Sequence, residues 1–204
     1  MYSQDREEDI IFRYLNKKSS GIYIDIGAGD PEQISNTFHL YQMGWRGLLI
    51  EPFMRHHKAI KLKRPDDVLL SIAISDYDGE IDMCSTVSAN TPLYKYYYNS
   101  QHIYKVKCLT INTLIKEYPK YKDPDFVSID IETGEEKLLS KCDFEIFKPE
   151  LICIEHWCRG TDDAGKEVTR MDYRPIWEHY LLSHYVRGKE TAGNTFYLRK
   201  GKND

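Results

Sequence analysis

The chain predicts an α/β fold, an open and mainly parallel sheet with helices on both faces. Three observations carry this. Apolar runs recur along the 204 residues, among them Ile22–Ile24, which ends in Asp25, Gly47–Ile50 and Leu151–Ile154. Strands buried on both faces read this way. Stretches of helical period separate the runs, and strand–helix alternation builds parallel sheets. Finally, the acids Asp25, Glu51, Asp130 and Glu155 stand at strand ends, where such sheets bind their ligands.

The elements follow in order. Asp9–Leu15 reads as a short amphipathic helix with Ile10, Ile11, Tyr14 and Leu15 on one side. Ile22–Ile26 is the first strand. Ser35-Asn36 can cap a helix running to Met43, and Gly44 ends it. Leu48–Glu51 is the second strand. Met54–Lys63 reads as a basic helix stopped by Pro65, its His56-His57 pair on a solvated face. Val68–Ile74 is the third strand, closed by the turn Ser75–Gly79. Glu80–Cys84 alternates and reads as an edge or accessory strand. Ser85–His102 is the least regular stretch: Asn90-Thr91-Pro92 breaks it, and Tyr94, Tyr96, Tyr97 and Tyr98 cluster there. Tyr104–Leu109 is a strand, and Thr110–Tyr118 a helix stopped by Pro119.

The second half repeats the pattern. Asp125–Asp130 is a strand, Gly134–Ser140 a helix, and Leu151–Glu155 a strand leading into His156. Gly160–Met171 reads as a polar loop long enough to act as a lid or a recognition element. Tyr173–His184 reads as a helix, and Tyr185–Arg187 and Asn194–Leu198 as two final strands.

Length and composition set bounds. The chain is expected to form one domain, residues 1–204, and its short polar start also suits a piece of a longer multidomain protein. The formal charge of −4 and the lack of an aromatic-basic platform disfavour DNA and RNA. Five cysteines with no C-x-x-C pair suit a reducing compartment. No signal peptide or long apolar span is read, so an intracellular, cytoplasmic location away from membranes is expected.

The most informative stretch is Asp25-Ile26-Gly27-Ala28-Gly29-Asp30-Pro31-Glu32. Gly27 and Gly29 let a ligand approach the backbone at the tip of the first strand. Glu51, at the tip of the second, is placed to accept hydrogen bonds from a ribose. The dinucleotide fingerprint would put a third glycine where Glu32 stands. Asp30 and Glu32 would repel a pyrophosphate, which argues against a nicotinamide enzyme. S-adenosyl-L-methionine, with a ribose, a base and a cationic sulfonium end, fits better.

The sequence resembles the FkbM-type S-adenosylmethionine-dependent methyltransferases over nearly its whole length. The matching stretches are Ser3-Gln4 with the acids after it, Ile24–Ala28, Ser35-Asn36-Thr37, Gly44–Pro52, Val127–Glu132, Glu155 and Asn194-Thr195-Phe196. The family's Asp-x-Glu-Gly reads Asp130-Ile131-Glu132-Thr133-Gly134 here, with one residue more before the glycine. The resemblance implies a Rossmann-like class I methyltransferase with a seven-stranded sheet. It also implies methylation of hydroxyl groups on sugars, polyketides or other metabolites.

Roles follow for the residues of the site. Glu51 should take the two ribose hydroxyls. Gly27, Ala28 and Gly29 should form the turn under the cofactor. Asp25 should fix that turn or reach the methionine ammonium through water. Asn36 and Thr37 should meet the methionine carboxylate or simply cap a helix. Ala73 and Ile74 should lie beside the adenine. Asp130, Glu132, Glu155 and His156 converge where the methyl is transferred. Asp130, Glu155 and His156 could hold Mg²⁺ or Mn²⁺, lowering the pKa of a substrate hydroxyl. Alternatively, His156 or Glu132 acts directly as base. Cys153, His156 and Cys158 match no standard zinc spacing. The tyrosine group could stack on a sugar or pack against a neighbouring subunit, as in a homodimer. The leading reading is an O-methyltransferase for a sugar or glycan hydroxyl. Methylation of RNA or a small metabolite, and a non-catalytic adenosine-cofactor sensor, are the alternatives.

Overall fold

The computed structural model describes residues 1–15, 18–85, 90–92, 103–132, 134–161 and 167–201. The elements run α1 (Glu7–Tyr14), β1 (Ile22–Ile26), α2 (Phe38–Gln42), β2 (Arg46–Ile50) and α3 (Met54–Lys63). Then come β3 (Val68–Leu70), β4 (Ala73–Ile74), β5 (Gly79–Ser85), β6 (Asn90–Pro92), β7 (Ile103–Leu109) and α4 (Ile111–Glu117). The rest are β8 (Phe126–Ile129), α5 (Glu135–Ser140), β9 (Leu151–Glu155), β10 (Trp157–Thr161), β11 (Glu167–Asp172), α6 (Arg174–Trp177), β12 (Tyr185–Glu190) and β13 (Asn194–Arg199).

Seven strands form the main sheet in the order β12-β13-β9-β8-β1-β2-β3. The five from β9 to β3 are parallel, and β13 runs antiparallel to both β9 and β12. The strand order reverses at β1, which pairs with β2 on one side and β8 on the other. That is the switch point at which doubly wound sheets bind ligands.

The two faces carry separate cores because side chains alternate along each strand. Ile24, Ile26, Leu48, Ile50, Val127 and Ile129 pack on the face that includes Leu114, Leu138 and Trp177. Tyr23, Leu49, Phe126 and Cys153 pack on the opposite face with Ile11 of α1, Leu40 of α2 and Ile60 of α3. Every residue of β8 is buried, Ser128 among them, as expected of a central strand covered on both faces.

Several expectations are corrected. The single strand over Val68–Ile74 is two: β3 pairs with β2, and β4 leaves the main sheet to pair with β7. A second sheet results, ordered β4-β7-β5-β6. Where a polar loop was expected over Gly160–Met171, the described residues belong to β10 and β11, which pair antiparallel with a register shift between Cys158 and Arg159. The helix expected over Tyr173–His184 is α6 followed by a 3₁₀ turn at Glu178–Tyr180. Glu178 is drawn instead to Arg187 and Tyr197. Helix α2 begins at Phe38, whose amide donates to Ser35 Oγ at 3.1 Å. The tyrosines at 94 and 96–98, Thr133 and His102 lie outside the described residues. Among the described residues, no helix is long and apolar enough to cross a membrane.

Candidate active site

A cavity of about 350 Å³ opens at the carboxyl ends of β1, β2, β8 and β9. Its size lies toward the low end of small-ligand sites, which run from about 300 to 1,000 Å³. Gly27, Ala28 and Gly29 form its floor, Glu51 stands at the β2 tip, and Ala73 and Ile74 line the wall from the second sheet. Asp130, Glu132 and Glu155 line the side below β8 and β9.

The glycine turn is held from both neighbouring strands. Gly27 and Ala28 donate their amides to Ile50 O at 2.9 and 3.2 Å, and Asp130 donates to Ile26 O at 3.0 Å. Gly27 has φ +88°, and a Cβ there would lie 1.8 Å from the Asp130 carbonyl oxygen. Only glycine fits so close a crossing in that conformation. Gly29 has φ +52° but open space around it. Its amide donates to Glu51 Oε2 at 2.8 Å, while Phe53 donates to Glu51 Oε1 at 2.8 Å. Glu51 is 3% exposed and spends one lone pair of each oxygen on the backbone. Each oxygen keeps a further acceptor site.

Asp130, Glu132 and Glu155 each offer a carboxylate oxygen, and these atoms lie within 4.8 Å of one another. Burial raises the Asp130 carboxyl above its ordinary range. Burial and then the Asp130 charge raise Glu155 as well, and the two carboxyls hydrogen-bond to each other. The two adjacent, half-buried carboxyls cannot both ionise cheaply, which favours one shared proton on the pair. Buried Glu135 stands behind them, accepting the Ile131 amide at 3.1 Å, and burial pushes it up to about 8. Glu132 has φ 54° although it is not glycine, whereas Gly134 has φ −90°. The strained backbone thus sits on the acid and not on the glycine after it. Such strain costs about 1–2 kcal/mol and gathers at functional sites.

Four of the expected residues do not line the cavity. Asp25 shares the face of Tyr23, under α2 and α3. There Thr37 Oγ1 donates to it, and Arg64 Nη1 lies 3.6 Å away. Arg64 also donates to Asp67 at 2.9 Å, to Tyr23 at 2.8 Å and to Thr37 at 2.9 Å. Burial raises the Asp25 carboxyl and the Arg64 charge opposes this. Asn36 Nδ2 donates to Ser128 Oγ at 3.2 Å. Ser128 and Asp25 share one cross-strand row of the sheet. His156 is 2% exposed, with its Nδ1 2.9 Å from Thr195 Oγ1. Burial lowers its pKa. It does not join the three acids whose oxygens cluster.

The cavity has further walls that the sequence reading did not anticipate. Gln4 reaches it from ahead of α1, and Gln33 and Ile34 from the loop before α2. Arg55 and His56 line it from the first turn of α3, the helix read as a solvated face. Their position directly after Glu51-Pro52 was the available signal. Glu32 turns away to Lys63 at 2.8 Å, and Asp30 remains at the wall.

The sequence matches the Methyltransferase FkbM domain over residues 25–175. No curated protein matches it at a significant level. The structure is similar to the 1,6-didemethyltoxoflavin-N1-methyltransferase of Burkholderia thailandensis, solved with 1,6-didemethyltoxoflavin and S-adenosylhomocysteine. That similarity has 10% identity and a TM-score of 0.51, over 95% of this chain and 76% of that one. An inferred RNA methyltransferase from Pyrococcus horikoshii aligns at 9% identity and TM-score 0.47, over 96% of this chain and 86% of that one. An inferred type 11 methyltransferase from Sulfolobus solfataricus aligns at 14% identity and TM-score 0.46, over 99% of this chain and 96% of that one. The first likeness is one of fold, and it agrees with the Rossmann-like sheet order described above.

Proposed function

The chain belongs to the FkbM methyltransferase domain family, and from that premise we propose that it uses S-adenosyl-L-methionine to methylate a sugar or glycan hydroxyl. The observation that carries this reading is the meeting of three carboxyl groups, Asp130, Glu132 and Glu155, at one end of a cavity floored by Gly27–Gly29.

The cavity suits that donor in shape and charge. Glu51 keeps acceptor sites for a ribose, and Phe53, Ile72 and Ile74 offer apolar surface to a base. Asp30, Glu51, Glu132 and the ionised member of the Asp130–Glu155 pair outweigh the Arg55 cation at the wall, which favours a cationic ligand over a pyrophosphate. When bound, the donor supplies an electrophilic methyl group on positive sulfur.

The chain's own residues do the rest. Carboxylates near the transferring methyl attract the sulfonium and align it with an incoming oxygen. An alcohol is too weak an acid to ionise unaided at neutral pH, so a base must take its proton as the C–O bond forms. The ionised member of the Asp130–Glu155 pair is the group at hand. A divalent ion also fits the oxygen-rich set Asp130, Glu132 and Glu155. Mg²⁺ or Mn²⁺ there would lower the pKa of a substrate hydroxyl and displace the proton that the pair holds.

The test is direct. The protein is incubated with the donor and a panel of sugars and glycans, with Mg²⁺, with Mn²⁺ or with a chelator. A product heavier by one CH₂, and S-adenosylhomocysteine in equal amount, is the expected result. Donor turnover confined to RNA or to nitrogen acceptors would overturn the acceptor assignment.

A further inference from the structure

The segment ahead of α1 is built against the cavity, and it carries a polar side chain to the mouth. Tyr2 O accepts the Ser35 amide at 3.2 Å, and the Tyr2 ring meets Phe38 edge-on with centroids 4.8 Å apart. Tyr2 N donates to Glu8 at 2.8 Å, and Tyr2 OH to Gln42 at 2.9 Å. The Ser3 side chain is buried beneath. These contacts fix residues 2 and 3 on α2 and leave Gln4 exposed at the cavity wall beside Gln33, Ile34 and Asp30.

The backbone there is under strain. Among the described residues, the non-glycine positions with left-handed φ are Arg6, Ile34 and Glu132. Ile34 and Glu132 line the cavity, and Arg6 ends the segment that carries Gln4. Ile34 is β-branched, has φ 58° and is 68% exposed. A β-branched residue in that conformation is an outlier, and here packing does not explain it. The bond from Ser35 to Tyr2 holds it.

We propose that Gln4, with Gln33 and Asp30, binds the amino-acid end of the methyl donor, and that residues 1–6 form the lip of that subsite. The proposal rests on the donor reading above. Two side-chain amides and one carboxylate complement an α-amino acid zwitterion. Amide N–H groups donate to its carboxylate, and Asp30 accepts from its ammonium. Asp30 Oδ1 takes the Glu32 and Gln33 amides at 2.9 and 2.8 Å, which orients the carboxylate. Asp25, Asn36 and Thr37 are engaged elsewhere, with Thr37 and Arg64 around Asp25 and Ser128 against Asn36.

Two ligands separate this end of the donor from the rest. S-adenosylhomocysteine carries the amino-acid end; 5′-methylthioadenosine shares the nucleoside and the sulfur but lacks it. Calorimetry with wild-type protein should show S-adenosylhomocysteine binding more tightly. Gln4→Ala should weaken S-adenosylhomocysteine about tenfold and leave 5′-methylthioadenosine within about twofold. Gln33→Ala should act the same way. Gln4 is exposed, so an unchanged melting temperature is expected for its variant. Equal effects on both ligands, or none on either, would overturn the proposal. So would wild-type protein that binds the two ligands equally. Wild-type protein that binds neither would instead remove the donor reading itself.

Discussion

Glu51 Oε2 accepts the Gly29 amide at 2.8 Å, so the acid at the tip of β2 is also the clasp on the turn at the tip of β1. Its other oxygen accepts the Phe53 amide at 2.8 Å, fixing the entry to α3. One side chain thereby sets the spacing of three cavity walls. Glu51→Ala should remove both the clasp and the ribose acceptor. Charge-assisted hydrogen bonds are worth about 1.5–3 kcal/mol each, so S-adenosylhomocysteine affinity should fall about 100-fold. Glu51→Gln keeps one acceptor oxygen and should lose less. Calorimetry checks the order of the two; equal losses would show that the charge contributes nothing.

The two turn glycines should respond differently to a methyl group. Gly27→Ala places a Cβ 1.8 Å from the Asp130 carbonyl at φ +88°. Backbone must move, and a loss of about 3 kcal/mol or more is expected. Gly29→Ala meets no neighbour closer than 3.9 Å and costs only its left-handed φ, about 1 kcal/mol. Urea titrations of the two variants measure the difference.

Asp130→Asn should retain S-adenosylhomocysteine binding and lose turnover by roughly 10²–10⁴, the usual worth of a positioned base. Glu155→Gln should behave alike, because the two share a hydrogen bond. Single-turnover rates at saturating donor separate this from a binding defect. If both variants keep wild-type rates, the carboxyl pair has no part in the chemistry.

Glu135 gives a pH prediction whose sign is fixed by burial. Its carboxyl is pushed up to about 8 from an ordinary 4.5. Between those values the folded protein keeps a proton that the unfolded chain releases. Stability contributed by that proton is complete at low pH and is lost as pH rises toward about 8. Glu135→Gln keeps an oxygen for the Ile131 amide and has no charge to bury. Its melting temperature should fall less than the wild type's from pH 5 to pH 8, by about 4 °C or more. The measurement needs a chelator, so that no cation screens the neighbouring acids.

The buried Arg64 predicts a structural effect away from the cavity. Arg64→Met would leave Asp25 and Asp67 without their shared cation. Breaking a buried ion pair from one side costs about 3–5 kcal/mol. Unfolding midpoints in urea report it. A variant as stable as wild type would mean that the two acids find other partners.

Much of this arrangement was legible in the residues, for identifiable reasons. Parallel strands buried on both faces announce themselves as apolar runs, so β1, β2, β8 and β9 were found with their terminal acids. The glycine turn and Glu51 follow from spacing alone. Asp25 was harder. Both faces of β1 are buried, so alternation cannot say which face meets the ligand until its cross-strand neighbours are known. The break at Ser71–Ile72 is invisible in an apolar run, because it is set by β4 pairing with β7. Gln4 lies in a polar segment without periodicity, and its placement depends on contacts from Tyr2 to Ser35 and Phe38. His156 follows a strand-end acid, yet its ring is spent on Thr195 of the antiparallel neighbour.

The reversed direction of β13 has a practical meaning. Leu198 pairs with Leu151, at the start of β9, so β13 ends beside the amino ends of the parallel strands, remote from the cavity. Gln4, in contrast, lines the cavity. A purification tag or fusion partner joined ahead of Met1 would crowd the entrance, whereas Lys200, bonded to His184 O, lies clear of it. Assays of ligand uptake are best run on protein extended only at its carboxyl terminus.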